Sequence, residues 1–233
     1  MWAELEDVYP LLEKQGYEIK DPWDVVRIFE EKVAAYAGSK YAVAVDNCTD
    51  AMFLCLNYIG ASGEITIPSK TYVSVPATII NAGCSVKFVD KEWSGIYKLE
   101  PYDVIDSATR FQKNMYVKGS LQCLSFHLKK ILKLGKGGMI LTDDKDAYDW
   151  LQSASKMGRH IDRLYVDDYF DIIGWNMFMP PEQAAKAILL FEQIPDFNED
   201  CGGSWRYHDL RKYDVFTNPE KSNKGRKRNV SKS

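Results

Sequence analysis

Lys130 is a residue whose type and position could support covalent chemistry. It follows a predicted apolar strand at Gln122–Phe126 and lies five residues after Ser125. A lysine shielded from water at such a strand end can form a Schiff base with a carbonyl compound. The alternative interpretation is that Lys129, Lys130 and Lys133 form a solvated basic surface.

Two further polar positions also follow predicted strands. Asp106 comes directly after an apolar run at Tyr102–Ile105, where a carboxylate either caps a helix or meets a cation. Residues 47–51, NCTDA, form a strand-to-helix turn whose free amides and Thr49 hydroxyl could bind a phosphate group. Equally, Thr49 or Asp50 could be an ordinary helix N-cap.

Strands and helices alternate along the chain in a way that would bring these positions together. The pattern predicts a mostly parallel sheet between helices, an α/β fold, with ligands bound beyond the carboxyl ends of the strands. After the glycine-rich turn at 135–138, a return strand makes a hairpin-like connection. The predicted strands are Tyr41–Val45, Glu64–Ile67, Ser85–Val89, Tyr102–Ile105, Gln122–Phe126 and Met139–Thr142, and the predicted helices are Trp23–Ala37, Ala51–Tyr58, one ending near Asn81, Asp146–Met157 and Pro181–Ile194.

Composition limits the classes of protein to consider. The 233 residues are 45% hydrophobic and 27% charged, which is typical of a globular domain, and no apolar run approaches the 18 residues of a membrane span. The formal charge of −3 combines +5 in residues 217–233 with −8 in the rest, so the body is no general polyanion binder. A nucleic-acid-binding hypothesis rests on that tail alone, and we interpret the tail as disordered.

The cysteines and the N-terminus bear on the compartment. Five cysteines form no CxxC pair, which argues against a disulfide framework or a zinc site and predicts no bound metal. The first 14 residues, MWAELEDVYPLLEK, are acidic and amphipathic and lack the pattern of a signal peptide. These features predict a cytoplasmic protein.

Five motifs, taken in order, resemble the DegT family of pyridoxal-phosphate (PLP) dependent nucleotide-sugar aminotransferases. The resemblance runs from about Phe29 to Phe191 and implies the large domain of the type I, aspartate-aminotransferase-like fold. The motifs are FEEKVAAYAGSKYAVAVDNCTDAM (29–52), EITIPSKTYVSVPATIINAGCSVKFVD (64–90), VIDSA (104–108), SFHLKKILKLGKGGMILTDD (125–144) and GWNMFMPPEQAA (174–185).

The resemblance implies roles for two catalytic residues. Lys130 is expected to form the internal aldimine with PLP and to move the proton between substrate and cofactor. Asp106 is expected to pair with the pyridinium nitrogen. The implied reaction transfers an amino group from an amino acid, glutamate in the first instance, to a keto-sugar nucleotide. Lys130 also argues against the dehydratase branch of the family, which carries histidine at that position.

Further positions match cofactor-binding residues of the family. The resemblance implies that Thr49, Asp50 and Ser125 bind the cofactor phosphate and that Tyr72 stacks on its ring. Asn176 matches the residue that reaches the phosphate in the neighbouring subunit. A homodimer with shared active sites is therefore expected.

The sequence departs from the family pattern in two regions. Only fifteen residues separate Asp90 from Asp106, so we expect one strand–helix unit of the family fold to be missing, and we expect the C-terminal small domain to be largely absent. We expect a PLP-binding α/β domain at 1–200, a remnant of the connection to the small domain at 201–216 and a basic tail at 217–233. Residues 204–216, SWRYHDLRKYDVF, resemble the start of the connecting helix. Because of these losses, a catalytically silent PLP-fold binding or scaffold protein is the alternative hypothesis.

Overall fold

The computed structural model describes residues 3–217, so the predicted basic tail lies almost wholly outside the described residues. The strands are β1 (Tyr41–Val45), β2 (Glu64–Pro68), β3 (Ser85–Val89), β4 (Tyr97–Lys98), β5 (Val104–Asp106), β6 (Leu121–Ser125) and β7 (Gly138–Thr142). The helices are α1 (Ala3–Lys14), α2 (Pro22–Ala37), α3 (Cys48–Tyr58), α4 (Ser74–Asn81), α5 (Lys145–Ala154), α6 (Pro181–Phe191) and the single turn α7 (Asp214–Thr217).

The strands form a five-stranded sheet and a separate parallel pair. The order in the larger sheet is β1-β7-β6-β5-β4, and β2 pairs with β3. Strands β1, β6 and β5 run in one direction, whereas β7 is antiparallel to both of its neighbours and β4 is antiparallel to β5. The predicted α/β fold and the hairpin-like return are confirmed, but three of the five strand pairs are antiparallel. The β6–β7 connection contains no helix, so β7 returns beside β6 in the opposite direction.

The larger sheet lies between two helical layers. Successive strand residues point to opposite faces, so β1 sends Ala42 and Ala44 to one core and Val43 and Val45 to the other. The first core contains buried residues of α1, α2 and α6, and the second contains those of α3, α4 and α5. Because helices cover both faces of the larger sheet, the edge formed by the strand ends is where a ligand-binding site can open.

The helix expected within residues 204–216 is not formed, and this prediction was wrong. Ser204–Arg206 and Leu210–Lys212 are single 3-10 turns, and only α7 is helical. Residues 200–210, which we call the C-terminal strap, instead pair with strand-end loops: Gly203 bridges to Ser94, and the amide of Leu210 donates to the carbonyl of Ser69 at 2.9 Å. These backbone groups bond to distant strand-end loops, so they are not available for the hydrogen bonds of a helix. The domain boundary at residue 200 stays a prediction.

Two further properties concern the helices and the cysteines of the described chain. No helix within residues 3–217 is long and apolar enough to cross a membrane. All five cysteines are free thiols, although the Sγ atoms of Cys55 and Cys123 lie 3.7 Å apart in the core.

A buried carboxylate fixes α2 against β1 and α5. Glu30 is 5% exposed and accepts hydrogen bonds from the amide of Ala44 at 2.7 Å and from Gln152 at 2.9 Å. Gln152 also accepts a hydrogen bond from the ammonium group of Lys156, so it links two buried ionisable groups. Burial raises the pKa of Glu30 and lowers that of Lys156. Each group therefore depends on the other to remain charged inside the protein.

We predict that Glu30→Ala lowers the free energy of unfolding by about 3 to 5 kcal/mol, since it leaves Lys156 as an uncompensated buried charge and the Ala44 amide without its acceptor. Glu31→Ala is the matched control on the same helix. Its partner Arg27 is exposed, so a loss of at most about 0.5 kcal/mol is expected. Urea denaturation measures both variants, and equal losses would contradict the anchoring role of Glu30.

Candidate active site

A cavity of about 850 Å³ opens at the sheet edge where β1, β5 and β6 end. Five of the seven sequence-predicted site residues line it: Thr49, Tyr72, Asp106, Ser125 and Lys130. They come from separate segments of the chain and meet because their strands end at this edge or in loops beside it.

Asp106 is the most deeply buried charged group of the cavity, at 5% exposed. Its Oδ1 accepts from the amide of Ala108 at 2.8 Å, and its Oδ2 accepts from the hydroxyl of Tyr97 at 2.6 Å. Loss of hydration on burial raises the pKa of Asp106, while the two hydrogen bonds and the positive charge of Lys130 partly offset that rise. A carboxylate can accept about four hydrogen bonds. Asp106 therefore has capacity for one more donor, such as a cationic ring nitrogen.

Tyr97 is a site residue that the sequence analysis missed. It pairs directly with Asp106 in the β4–β5 register, and its hydroxyl lies 2.5 Å from the Oγ1 of Thr71. Since Tyr97 donates its one hydrogen to Asp106, Thr71 is the donor in the second bond. Burial and the neighbouring Asp106 charge raise the pKa of Tyr97 well above its ordinary value, which keeps the phenol protonated. Strand β4 has only two residues, so the sequence carries no periodic pattern that would have marked Tyr97.

Lys130 lies at the mouth of the cavity, half-buried. Its ammonium group has no hydrogen bond or salt bridge within the described part of the chain, although its charge acts on Asp106 and Cys48. The backbone amide of Lys130 donates to the carbonyl of His127 at 2.8 Å, which fixes the turn that carries it. The side chain is therefore free to react with a group in the cavity.

The opposite part of the cavity is rich in donors suited to an anion. Helix α3 begins there with Asn47 as N-cap, and the amides of Cys48 and Thr49 belong to the first turn, where helical amides lack partners within the helix. The hydroxyl of Thr49 donates to the Oγ of Ser74 at 2.8 Å, and Ser125 adds a third hydroxyl to the lining. Hydroxyls and a helix N-terminus together are typical of a phosphate site.

Gly138 allows this turn to lie against β7. A Cβ atom at position 138 would lie 2.5 Å from the carbonyl carbon of Asn47 and 2.7 Å from the nitrogen of Cys48. Both of these are backbone atoms that a side chain could not push aside cheaply. The glycine at this position therefore fixes where α3 starts relative to Ser125, its partner across the β6–β7 register.

Aromatic side chains form one wall of the cavity. The rings of Trp93 and Tyr207 are stacked, with centroids 5.9 Å apart and an interplanar angle of 15°, and Tyr72 meets Tyr207 edge-on. Burial, followed by the nearby Asp106 charge, raises the pKa of Tyr207 to about 12. Tyr72 itself is 57% exposed, so this ring also faces outward.

The C-terminal strap supplies part of that wall and is held by polar contacts. Arg110 and Asp200 form a two-pronged ion pair, Nε to Oδ1 at 2.8 Å and Nη2 to Oδ2 at 2.7 Å. The hydroxyl of Thr109 lies within hydrogen-bond distance of the carbonyl oxygens of Gly95, 3.0 Å, and Gly202, 2.9 Å. These contacts place three strap residues in the cavity lining that the sequence analysis did not anticipate: Cys201, Arg206 and Tyr207.

The two other predicted site residues do not line the cavity. The carboxylate of Asp50 accepts a hydrogen bond from the Nδ2 of Asn47 at 2.7 Å, and the Asp50 amide donates to Oδ1 of the same residue, so Asp50 belongs to the start of α3. Asn176 is exposed and bridges to Lys156 through the backbone. Its expected role toward a second subunit stays a prediction.

The described residues contain no group of three or more His, Cys, Asp and Glu side chains arranged to hold a metal ion. The acidic residue Asp46, which follows β1, pairs with Lys136 at the cavity rim.

Comparison with known sequences adds a family relationship. The profile of the DegT/DnrJ/EryC1/StrS aminotransferase family matches residues 14–112 and 107–208. The chain is 28% identical to the spore coat polysaccharide biosynthesis protein SpsC of Bacillus subtilis, over 84% of this chain and 63% of that protein. It is 27% identical to GDP-perosamine synthase of Escherichia coli O157:H7, over 77% and 60%. The chain thus spans about three fifths of the length of these curated relatives.

Solved structures share the fold. The DesI structure, determined in the presence of its TDP-sugar product, matches with a TM-score of 0.61 and 21% identity, covering 84% of this chain and 59% of that one. A PLP-dependent aminotransferase structure from Bacillus cereus, named as putative, matches with a TM-score of 0.64 and 17% identity, covering 83% and 64%. The expected type I fold is thereby confirmed.

We predict that Tyr97→Phe raises the midpoint of the Asp106 titration by about 1 to 2 pH units, because a hydrogen bond to a charged group contributes about 1.5 to 3 kcal/mol. The bond favours the carboxylate, so its loss favours the protonated acid and moves the pKa upward. The measurement is a ¹³C NMR titration of Asp-labelled protein, with Asp106→Asn identifying the resonance.

Tyr102→Phe is the matched control, since the hydroxyl of Tyr102 bonds to the backbone of Ser62 outside the cavity. This variant should titrate like the wild type at Asp106. An unchanged midpoint in Tyr97→Phe would show that the phenol does not stabilise the carboxylate.

Proposed function

Because the chain belongs to the DegT/DnrJ/EryC1/StrS aminotransferase family, we propose that it is a PLP-dependent aminotransferase that transfers an amino group from an amino acid to a keto-sugar nucleotide. The observation that carries this proposal is the pairing of an uncommitted Lys130 amine with the buried Asp106 carboxylate in one cavity. Glutamate is the proposed amino donor.

The cavity fits the three functional groups of PLP. The N-terminus of α3, with Thr49, Ser74 and Ser125, suits the phosphate. Asp106 suits the pyridine nitrogen, and Lys130 supplies an amine for the aldehyde. The volume of the cavity is within the range of about 300 to 1,000 Å³ that is usual for ligand pockets. When bound, PLP supplies an electron-withdrawing ring that stabilises negative charge at the reacting carbon of the amino donor.

Asp106 is proposed to keep the ring nitrogen protonated. A carboxylate in contact with a cationic nitrogen is stabilised in its charged form, which counters the effect of burial on its pKa. The Thr71–Tyr97 pair holds the Oδ2 of Asp106 in place, so the rest of the carboxylate can face the cofactor ring. Asp106 is thus proposed to bind the cofactor and favour its cationic form.

Lys130 is proposed to attach the cofactor covalently and then to carry the proton. Its side chain has no ion pair within residues 3–217, so no such contact has to be broken when Lys130 reacts. The amine is proposed to take a proton from the α carbon of the donor amino acid and to return it during amino transfer. Trp93, Tyr207 and Tyr72 form an aromatic wall of the same cavity.

We also propose a homodimer in which Asn176 reaches the phosphate site of the second subunit. The exposure of Asn176 and its position outside the cavity support this role, since the side chain is available to another chain. The names of two similar proteins, a GDP-perosamine synthase and DesI with its TDP-sugar product, support a sugar nucleotide as the acceptor. Five free cysteines support a reducing, cytoplasmic location.

We predict that the PLP-loaded protein converts L-glutamate to 2-oxoglutarate in a single turnover, in an amount close to that of the protein. Lys130→Ala should reduce the rate by at least about 100-fold, the usual lower contribution of a positioned acid–base group. Quenched-flow samples analysed by mass spectrometry give this rate.

Lys118→Ala is the control, because Lys118 is exposed and lies outside the cavity lining. It should react at the wild-type rate. Release of 2-oxoglutarate no faster than with free PLP would contradict an aminotransferase and favour the silent PLP-fold scaffold.

A further inference from the structure

Two carboxylates flank the turn that begins helix α3, beside the donors proposed for the cofactor phosphate. Asp46 directly precedes the N-cap Asn47, and Asp50 lies in the first turn of the helix. The Nδ2 of Asn47 donates to the Oδ2 of Asp46 at 3.1 Å and to the Oδ2 of Asp50 at 2.7 Å, so one amide group holds both acids in place. Acidic side chains at a helix N-terminus are stabilised by the positive end of the helix dipole. These two acids therefore oppose the binding of a phosphate group at the same helix end.

Lys136 is the cation that contacts this acidic turn. Its Nζ forms an ion pair with the Oδ2 of Asp46, and its side chain lines the cavity together with Asn47 and Thr49. No other salt bridge within residues 3–217 involves either acid. Burial raises the pKa of Asp50 and the Asp46 charge raises it further, whereas the Asn47 bond and the Lys136 charge lower it. Lys136 therefore offsets negative charge at both acids.

The glycine-rich turn at 135–138 brings Lys136 to this position. Gly135 and Gly137 have φ angles of +108° and +146°, in the region that residues with a side chain rarely adopt. The carbonyl oxygen of Lys136 accepts a hydrogen bond from the Nε2 of Gln183 on α6. The shape of the turn and its bond to α6 thus place the Lys136 side chain beside Asp46.

Three other cations line the cavity, but none of them forms an ion pair with these acids. Lys129, Lys130 and Arg206 make no salt bridge to either carboxylate in the part of the chain that the structure describes. The Nη1 of Arg206 instead donates to the carbonyl oxygen of Cys201 at 2.6 Å. Neutralisation of the acids at the start of α3 therefore depends on Lys136.

We propose that Lys136 is a positioning residue for the cofactor phosphate and that it acts through Asp46. Its ion pair neutralises the carboxylate that precedes the N-cap, so the amides of Cys48 and Thr49 bind a doubly charged phosphate against less repulsion. Lys136 does not need to touch the phosphate in this role. The inference rests on the proposed function for the identity of the cofactor.

Calorimetric titration of the full chain with pyridoxamine phosphate tests this role, because this form of the cofactor lacks the aldehyde that reacts with Lys130. Lys136→Gln should weaken binding by about 5-fold or more at low ionic strength, since a negative charge beside a phosphate dianion is no longer offset. The loss should shrink as salt is added, because salt screens exposed charges. Lys133→Gln is the matched control, since Lys133 is exposed on the same loop outside the cavity lining, and it should bind like the wild type.

A second substitution separates neutralisation from direct contact. Asp46→Asn keeps an acceptor oxygen for the Nδ2 of Asn47 but removes the negative charge. Asp46→Asn/Lys136→Gln has the same net charge in this turn as the wild type, so it should bind pyridoxamine phosphate within about 2-fold of the wild type. A double variant that binds as weakly as Lys136→Gln would show direct contact or a purely structural effect and would overturn the proposal.

The outcome is separable from that of the aminotransferase proposal. Equal binding by the wild type and Lys136→Gln would overturn the role of Lys136 and leave the aminotransferase proposal standing. A wild-type protein that does not bind pyridoxamine phosphate would contradict the cofactor site itself, and both proposals would fail with it.

Discussion

The burial of the Asp106 carboxylate is the constraint on which the site depends. A carboxylate that is 5% exposed is costly unless its oxygens are hydrogen-bonded and a positive charge is near. Here the two-residue strand β4 pairs with β5 and places Tyr97 directly beside Asp106. The phenol and the Ala108 amide each donate to one oxygen, and the positive charge of Lys130 also favours the carboxylate. The same arrangement leaves the carboxylate with capacity for a further donor.

The C-terminal strap gives the cavity a wall that the strand-end loops alone do not provide. The ion pair between Arg110 and Asp200 and the contact of Thr109 with Gly202 fix the strap beside Asp106. From there Tyr207 stacks on Trp93. Arg206 also lies in the lining of the cavity. A segment that resembles the connection to another domain thus becomes part of the site.

Much of the fold and site could be predicted from residues that obey local rules. Apolar runs such as Tyr41–Val45 gave strand bounds that the structure repeats, and parallel strand ends brought Thr49, Asp106, Ser125 and Lys130 to one edge. Tyr97 could not be predicted, because β4 is too short to show a periodic pattern and its role comes from register with β5. The strap was also missed, since its conformation depends on bonds to residues more than 90 positions away, such as Thr109 to Gly202.

The role of Lys130 is tested most directly by reducing the PLP-loaded protein with borohydride and mapping the modified peptide by mass spectrometry. Lys129, Lys133 and Lys136 lie within six residues and provide internal competitors with the same chemistry. We expect one phosphopyridoxyl group per chain, on Lys130, and none in Lys130→Ala. Modification spread over the neighbouring lysines, or unchanged in the variant, would show that the cavity does not select Lys130 and would contradict the proposed active site.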